Sequence, residues 1–172
     1  MNELPYTKIP EPPKTMSATT ILIRLLDGTG FRYRWATEGL RDEDMTYQPC
    51  GTSKTIQELL AHIHGLLMIS ESYLTDKDLV KIEPCELSER RKLTLDTVLR
   101  IRESLFELDD GYLAGRMYKV PWSSEALPVW YLINGPLSDA LTHIGQIASW
   151  RRINENPIHK ANVFFGTPPQ NR

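Results

Sequence analysis

Cysteine is scarce in this sequence, and its scarcity excludes two kinds of small stabilised fold. The 172 residues include two cysteines, Cys50 and Cys85, and neither belongs to a CxxC pair or to a larger cysteine framework. A disulfide scaffold and a cysteine-rich zinc module are therefore excluded, and free thiols are typical of a reducing compartment. We predict a cytoplasmic protein in which one domain folds around its hydrophobic core.

Long apolar runs and an excess of positive charge are also missing. No run approaches the roughly 20 apolar residues of a membrane-spanning helix, and the N-terminus lacks a basic stretch followed by an apolar one. The formal net charge is −2, whereas a domain that binds phosphates normally carries a basic excess. The sequence predicts no membrane insertion, no secretion and no nucleic-acid partner.

Alternation of apolar and polar residues, which is typical of strands, is absent, whereas helical spacing recurs four times along the chain. We predict an all-α fold, a four-helix bundle with a long crossover between helices two and three, forming a single domain over residues 1–172. Residues 1–15 contain four prolines and are predicted to form an irregular arm on the surface or against a neighbouring subunit. Residues 158–172 are predicted to form a polar tail with Phe164 and Phe165 docked on the protein.

The first predicted helix begins after Ser17, a good N-cap, and continues to about Leu40. Gly28 and Gly30 lie inside it and indicate close packing or a local irregularity, because glycine is a weak helix former.

The second predicted helix begins near Thr55, where the spacing of Thr-Ile-Gln-Glu is that of a capping box, although Ser53 is an equally good cap. His62 and His64 both lie on this helix, on opposite flanks of its apolar stripe. Periodicity does not choose between them, and the structural alternative for each is a half-buried, hydrogen-bonded histidine.

The segment 75–92 is highly charged and is predicted to be a long exposed crossover or a lid. A third helix is predicted from Thr94, ending near Asp110 or continuing toward Arg116.

The fourth predicted helix has one apolar face and one face with mostly polar side chains. It is predicted to begin near Pro128 and to bend at Gly135-Pro136, or else to begin afresh at Pro136. The apolar face, predicted to be core or a subunit interface, is formed by Leu137, Leu141, Ile144 and Ala148. The opposite face carries Asp139, His143, Gln146 and Trp150. Because Asp139 and His143 are four residues apart, a carboxylate and an imidazole project side by side from the helix. This arrangement is suited to a metal site, and it is equally typical of a solvated pair that contributes little to stability.

Two short motifs carry a resemblance to a known family. The stretch TIQELLAHI (Thr55–Ile63) and the stretch THIGQI (Thr142–Ile147), followed by Arg151-Arg152, resemble the DinB/YfiT-like proteins. These are metal-binding four-helix bundles related to bacterial thiol-dependent transferases. The resemblance covers nearly the whole chain through the order of the helices and the long crossover.

The resemblance implies a divalent metal site formed by His62, Asp139 and His143, and it selects His62 over His64. Asp139 stands where the family has a histidine. Gln146 is expected beyond the ligands, supporting them or orienting substrate. Two imidazoles and one carboxylate with open positions suit zinc or non-haem iron, and nickel or manganese as well.

The resemblance further implies a thiol-dependent S-transferase or isomerase that acts on a small-molecule substrate with a low-molecular-weight thiol. Because the apolar face of helix four is predicted to be core or a subunit interface, we also expect a homodimer. A metal-dependent hydrolase is an alternative, because a metal ion also activates water. A non-catalytic binding or stress-response protein is another alternative, and the replacement of the middle histidine by Asp139 favours it. Glu58 and Glu71 lie on helix two without a motif, so no general base is assigned.

Overall fold

A computed structural model describes residues 3–170, so the first two residues of the predicted arm and the last two of the predicted tail lie outside the described residues. The described chain is mostly helical, which confirms the all-α class. The elements in chain order are α1 (Ala18–Ala36), α2 (Asp42–Met45), α3 (Ile56–Thr75), α4 (Leu87–Glu107), α5 (Asp110–Gly115), β1 (Met117–Tyr118), β2 (Leu127–Pro128), α6 (Trp130–Leu132), a π-helical segment (Ile133–Leu137) and α7 (Ser138–Ile153).

The four long helices share one hydrophobic core. Helix α1 packs against α4 and α7, and α3 packs against the same two helices. Each helix contributes fully buried aliphatic side chains, among them Leu26, Ile63, Ile101 and Ile147. Burial of such side chains contributes roughly 1.5–3 kcal/mol each, so these four apolar stripes provide most of the driving force for folding.

Helix α1 is held by its cap and by the N-terminal arm. The Ser17 side chain accepts a hydrogen bond from the N–H of Thr20, as predicted, but the helix ends at Ala36 rather than near Leu40. A Cβ atom at position 30 would lie 2.7 Å from the ring of Tyr6, so Gly30 is required for the close approach of the arm. The predicted close packing is confirmed, and the arm lies on its own chain through a buried Tyr6.

The crossover is shorter than predicted. Thr55 caps α3 in a capping box with Glu58, so the prediction of Thr55 is confirmed and Ser53 is not the cap. Helix α4 begins at Leu87, however, and the predicted start at Thr94 was wrong. The charged residues that precede Thr94 are mostly glutamate, arginine and lysine, which are strong helix formers, so their charge marks an exposed helix face rather than a loop.

The fourth long helical stretch is bent, as predicted. Its short first part, α6, is followed by the π-helical segment, in which Gly135 has non-helical backbone angles (φ −89°, ψ −109°). Pro136 has no N–H to donate, so the regular hydrogen-bond ladder is interrupted there. Before the bend, β1 and β2 pair antiparallel, with Met117 opposite Pro128.

The apolar face predicted for α7 is only partly buried. Leu137 and Ile144 are buried, whereas Leu141 and Ala148 are partly exposed and line a groove between α1 and α7. The face toward the core is rotated by about one residue along the helix, and its buried members within α7 are Ala140, Ile144, Ile147 and Arg151. Arg151 tolerates burial because its guanidinium donates hydrogen bonds to backbone carbonyls of Ala36, Glu38 and Gly39.

The C-terminal tail differs from its prediction. Phe164 and Phe165 were expected to dock, but they are 85% and 71% exposed. The Asn162 side chain accepts hydrogen bonds from both of their N–H groups, and this turn directs the two rings outward, edge to face with each other. Within residues 3–170, no helix combines the length and the apolar character needed to cross a membrane.

Candidate metal centre

Two helices bring together the three side chains that the sequence singles out. His62 lies on α3, and Asp139 and His143 lie one turn apart on α7, which packs beside α3. The Nε2 atom of His62 is 3.4 Å from Oδ2 of Asp139, and the Nε2 atom of His143 is 3.3 Å from Oδ1. One donor atom from each of the three residues lies within 4.8 Å of the others.

The donor set fits a small divalent ion. Zinc ligands at 2.0–2.2 Å in a tetrahedron are separated from one another by roughly 3.3–3.6 Å. Each carboxylate oxygen of Asp139 lies at such a separation from one imidazole nitrogen, Oδ2 from His62 and Oδ1 from His143, and a set with one donor atom from each residue lies within 4.8 Å. Two imidazole nitrogens and one carboxylate leave at least one coordination position open, as in catalytic rather than structural sites. The residues therefore fit a metal ion that also contacts an external molecule.

Asp139 has no permanently charged neighbour. Among residues 3–170, its ion-pair partners are the imidazoles of His62 and His143, with no lysine or arginine. It lies in the first turn of α7, where the helix dipole favours negative charge. Within residues 3–170, the carboxylate therefore has no ion pair with a lysine or an arginine.

The bend in the chain determines where α7 begins and therefore where Asp139, in its first turn, is placed. The hydroxyl of Ser138 donates a 2.7 Å hydrogen bond to the carbonyl oxygen of Ile133, across the interruption at Gly135-Pro136. The backbone N–H of Ser138 also donates to this carbonyl, so both groups of one residue bond across the interruption. The first turn of α7 is thereby fixed, and Asp139 with it.

Gln146 orients the imidazole of His143. The Nδ1 atom of His143 is 2.7 Å from Oε1 of Gln146, one turn further along α7. An amide oxygen can only accept, so the proton of the neutral ring is assigned to Nδ1, and Nε2 is left with its lone pair. A hydrogen bond to the second ring nitrogen is typical of metal-ligating histidines.

The three side chains are partly accessible to solvent. The exposed fractions are 37% for His62, 45% for Asp139 and 16% for His143. Burial lowers the pKa of His62, the neighbouring His143 lowers it further, and Asp139 opposes both effects. The neutral imidazole that these effects favour is the form that binds metals.

His64 lies on the other side of α3. Its Nδ1 atom is 3.3 Å from the hydroxyl oxygen of Thr94 on α4, and burial lowers its pKa to about 4. The structure thus places His62, and not His64, beside Asp139, a choice that helical periodicity alone leaves open. Neither glutamate of α3 is free to act as a base there, since Glu58 caps the helix and Glu71 binds Arg100 and Lys77.

A cleft beside Asp139 was not predicted from the sequence. It has a volume of about 500 Å³, and Asp139 and Thr142 form its edge toward the histidines. Its walls come from distant parts of the chain, so no local spacing could have indicated it. We call it the aromatic cleft and define its walls by Leu66, Ile69, Tyr73, Val120, Trp122 and Tyr131.

A comparison of the chain with protein-family models, with curated proteins and with solved structures found no match. The resemblance to the DinB/YfiT-like proteins therefore rests on the two short motifs of α3 and α7.

Proposed function

We propose that the chain binds one divalent transition-metal ion through His62, Asp139 and His143 and is a metal-dependent enzyme of the DinB/YfiT-like type, built on a four-helix bundle. The convergence of three donor atoms from two helices within 4.8 Å carries this proposal. The lack of a lysine or arginine ion pair at Asp139 among residues 3–170 supports it, because no such side chain competes with a metal ion for the carboxylate.

The mixed donor set restricts the metal. Imidazole nitrogens suit zinc, nickel, iron and copper, whereas a carboxylate oxygen also suits manganese. Calcium and magnesium prefer sites made of oxygen ligands, so they are disfavoured. We propose zinc, nickel, iron or manganese as the occupant.

The reaction that we propose is thiol-dependent S-transfer or isomerisation. When bound, the ion would lower the pKa of a thiol that reaches it and so supply the nucleophile. Within this scheme, Gln146 holds the ring of His143, and Asp139 offsets positive charge at the centre. No free carboxylate of α3 is available as a general base, since Glu58 and Glu71 are both engaged, so deprotonation of a thiol or of a water would depend on the ion.

Metal content tests the site. Tag-free protein, incubated separately with nickel, zinc, iron(II) and manganese and then desalted, should retain about one equivalent of at least one of these metals by elemental analysis. His62→Ala and Asp139→Ala should lose it, whereas His159→Ala removes an exposed histidine of the tail and should retain it. No retention by the parent protein, or retention by both site variants, would overturn the proposal.

Asp139→His provides a sharper variant, because it restores the three-histidine pattern of the resembled family. It should keep one equivalent of metal, with affinity shifted toward zinc and nickel over manganese. Loss of metal in this variant would show that the carboxylate is not interchangeable with an imidazole ligand.

Turnover separates the enzyme from a binding protein. The loaded protein, cysteamine and 1-chloro-2,4-dinitrobenzene should form a thioether, in which a carbon–sulfur bond replaces the carbon–chlorine bond and the thiol proton passes to solvent. His143→Ala should abolish the enzymatic rate. Bound metal with no thioether or other thiol product would favour the non-catalytic alternative.

A further inference from the structure

The aromatic cleft lies next to the candidate metal centre, since Asp139 belongs to both. Its walls are apolar or aromatic and come from α3, from the segment between β1 and β2, and from the bent helix. Its volume of about 500 Å³ lies within the range of sites that enclose a small molecule. Trp122 is 69% exposed and stands at the wall with its ring available to a ligand.

The charge of the aromatic cleft is unusual for this protein. Asp139 is the single charged residue among those that line it. By contrast, a cavity of about 350 Å³ between α3 and α4 is lined by lysine, arginine, aspartate and glutamate side chains. The aromatic cleft therefore offers no cation to a phosphate, carboxylate or sulfonate, and Asp139 repels each of these groups.

Three hydroxyl groups of the cleft already donate hydrogen bonds within the protein. The hydroxyl of Ser138 donates to the carbonyl of Ile133, and that of Thr142 donates to the carbonyl of Ser138 at 3.0 Å. The hydroxyl of Tyr73 donates to the carbonyl of Leu127. The side chains of Asn134, Tyr131 and Trp122 remain for uncharged hydrogen-bonding groups of a ligand, and the ring faces remain to stack on a flat apolar molecule.

We propose that the aromatic cleft binds an uncharged, flat apolar molecule, such as an aromatic electrophile, and that the metal-free protein excludes anionic analogues of the same shape. This substrate class rests on the proposed function for its chemistry at the metal, but the binding itself does not need the metal. The thiol then reaches the centre from the solvent-exposed side of His62, and the apolar substrate reaches it from the cleft.

Two fluorescent probes with the same ring system test the charge selectivity. N-phenyl-1-naphthylamine is uncharged, and 8-anilinonaphthalene-1-sulfonate adds one sulfonate to the same body. The neutral probe should bind metal-free protein at one site, at least tenfold more tightly than the anionic one. Equal affinities, or no binding of the neutral probe, would overturn the proposal.

A matched pair of tryptophan substitutions tests whether the neutral probe binds in the aromatic cleft. Trp122 lines the cleft and Trp130 does not, yet both are about equally exposed, at 69% and 70%. Trp122→Ser should weaken binding of the neutral probe at least tenfold, whereas Trp130→Ser should change it less than twofold. Equal effects of the two substitutions would place the probe elsewhere and overturn the proposal.

Two further variants separate this inference from the proposed function. His62→Ala removes a metal donor but leaves the cleft lining intact, so the neutral probe should bind it within twofold of the parent. Asp139→Asn should tighten binding of the anionic probe and narrow the difference between the two probes. If the parent protein binds the neutral probe but retains no metal in the metal-content experiment, the proposed function is contradicted and the cleft is supported. If it retains metal but does not bind the probe, the cleft is contradicted and the metal site is supported.

Discussion

The carboxylates on the two sides of α3 differ in their burial and in their ion-pair partners. On the side of α4, Glu71 is buried, and Arg100 binds it through two hydrogen bonds of 2.7 and 3.0 Å, with Lys77 at 3.0 Å. On the side of α7, Asp139 is 45% exposed and has two imidazoles as its ion-pair partners.

This difference indicates that the carboxylates on the two sides of α3 have different roles. The protein itself neutralises the charge of Glu71, so that carboxylate stabilises the packing of α3 on α4 and has no capacity for another cation. Among residues 3–170, Asp139 has no lysine or arginine as an ion-pair partner, so its carboxylate remains accessible to a cation. The neighbouring histidines follow the same division, since His64 is buried against Thr94 and His62 is open at the site.

The largest expected effect is on the pH dependence of stability and concerns Tyr33, a residue of α1 that contacts α4. Its hydroxyl donates to Thr94, and burial raises its pKa to about 12, while that hydrogen bond and then Arg91 oppose the shift. The folded state therefore holds this proton between pH 10 and 12 while the unfolded chain loses it, so stability falls as pH rises through that window. The loss should reach roughly 3 kcal/mol.

Chemical denaturation between pH 8 and 12 measures this loss. Tyr33→Phe should remove it from the alkaline limb, whereas Tyr131→Phe, which changes a half-exposed tyrosine, should not. Parallel pH profiles for the parent and Tyr33→Phe would contradict the prediction.

The next effect concerns Arg100. Arg100→Ala should lower the free energy of unfolding by about 2 kcal/mol, because it leaves the buried Glu71 with Lys77 as its remaining ion-pair partner. Lys81→Ala breaks an exposed pair with Glu83 and should stay within about 0.5 kcal/mol of the parent. Urea denaturation at neutral pH compares the two, and equal effects would remove the contrast between the sides of α3.

A smaller effect is expected at Gln146. Gln146→Leu removes the acceptor at Nδ1 of His143 and should weaken metal binding by about tenfold, while the free energy of unfolding without metal changes little. Gln146→Glu keeps an acceptor and should retain the affinity. Isothermal titration with the preferred metal provides the measurement, and an unchanged affinity in Gln146→Leu would show that His143 needs no such support.

The smallest effect is expected at Asp139 itself. In metal-free protein, Asp139→Asn should change the free energy of unfolding by less than about 0.5 kcal/mol, since its contacts are partly exposed pairs with histidines. Urea denaturation in the presence of a chelator measures this change. A loss comparable to that of Arg100→Ala would identify Asp139 as part of a structural ion pair instead.

Local spacing predicted much of the helical frame. Ser17, Thr55 and the bend at Gly135-Pro136 each have a local chemical signature, a capping side chain or a missing N–H, and the structure has them where predicted. The start of α4 was missed because charged helix formers and charged loops have similar composition. The phase of α7 was missed by about one residue because the choice between Ala140 and Leu141 depends on packing against other helices.

The candidate site was foreseeable only in part. The spacing of Asp139 and His143 follows from helical geometry, but the choice between His62 and His64 came from a resemblance, and the structure places His62 beside them. The aromatic cleft could not be anticipated, because Trp122 reaches the neighbourhood of Asp139 through a turn-rich segment with no periodicity.

The interruption at Gly135-Pro136 also divides the chain into parts that can open independently. A continuous helix unfolds cooperatively, whereas a break in its hydrogen-bond ladder lets one part open while the other stays folded. We therefore expect the amide protons of the segment from Met117 to Leu132 to exchange with solvent faster than those of α7, which hydrogen exchange would measure. Val120 and Trp122 of the cleft wall belong to this segment, whereas Asp139 and His143 lie beyond the interruption.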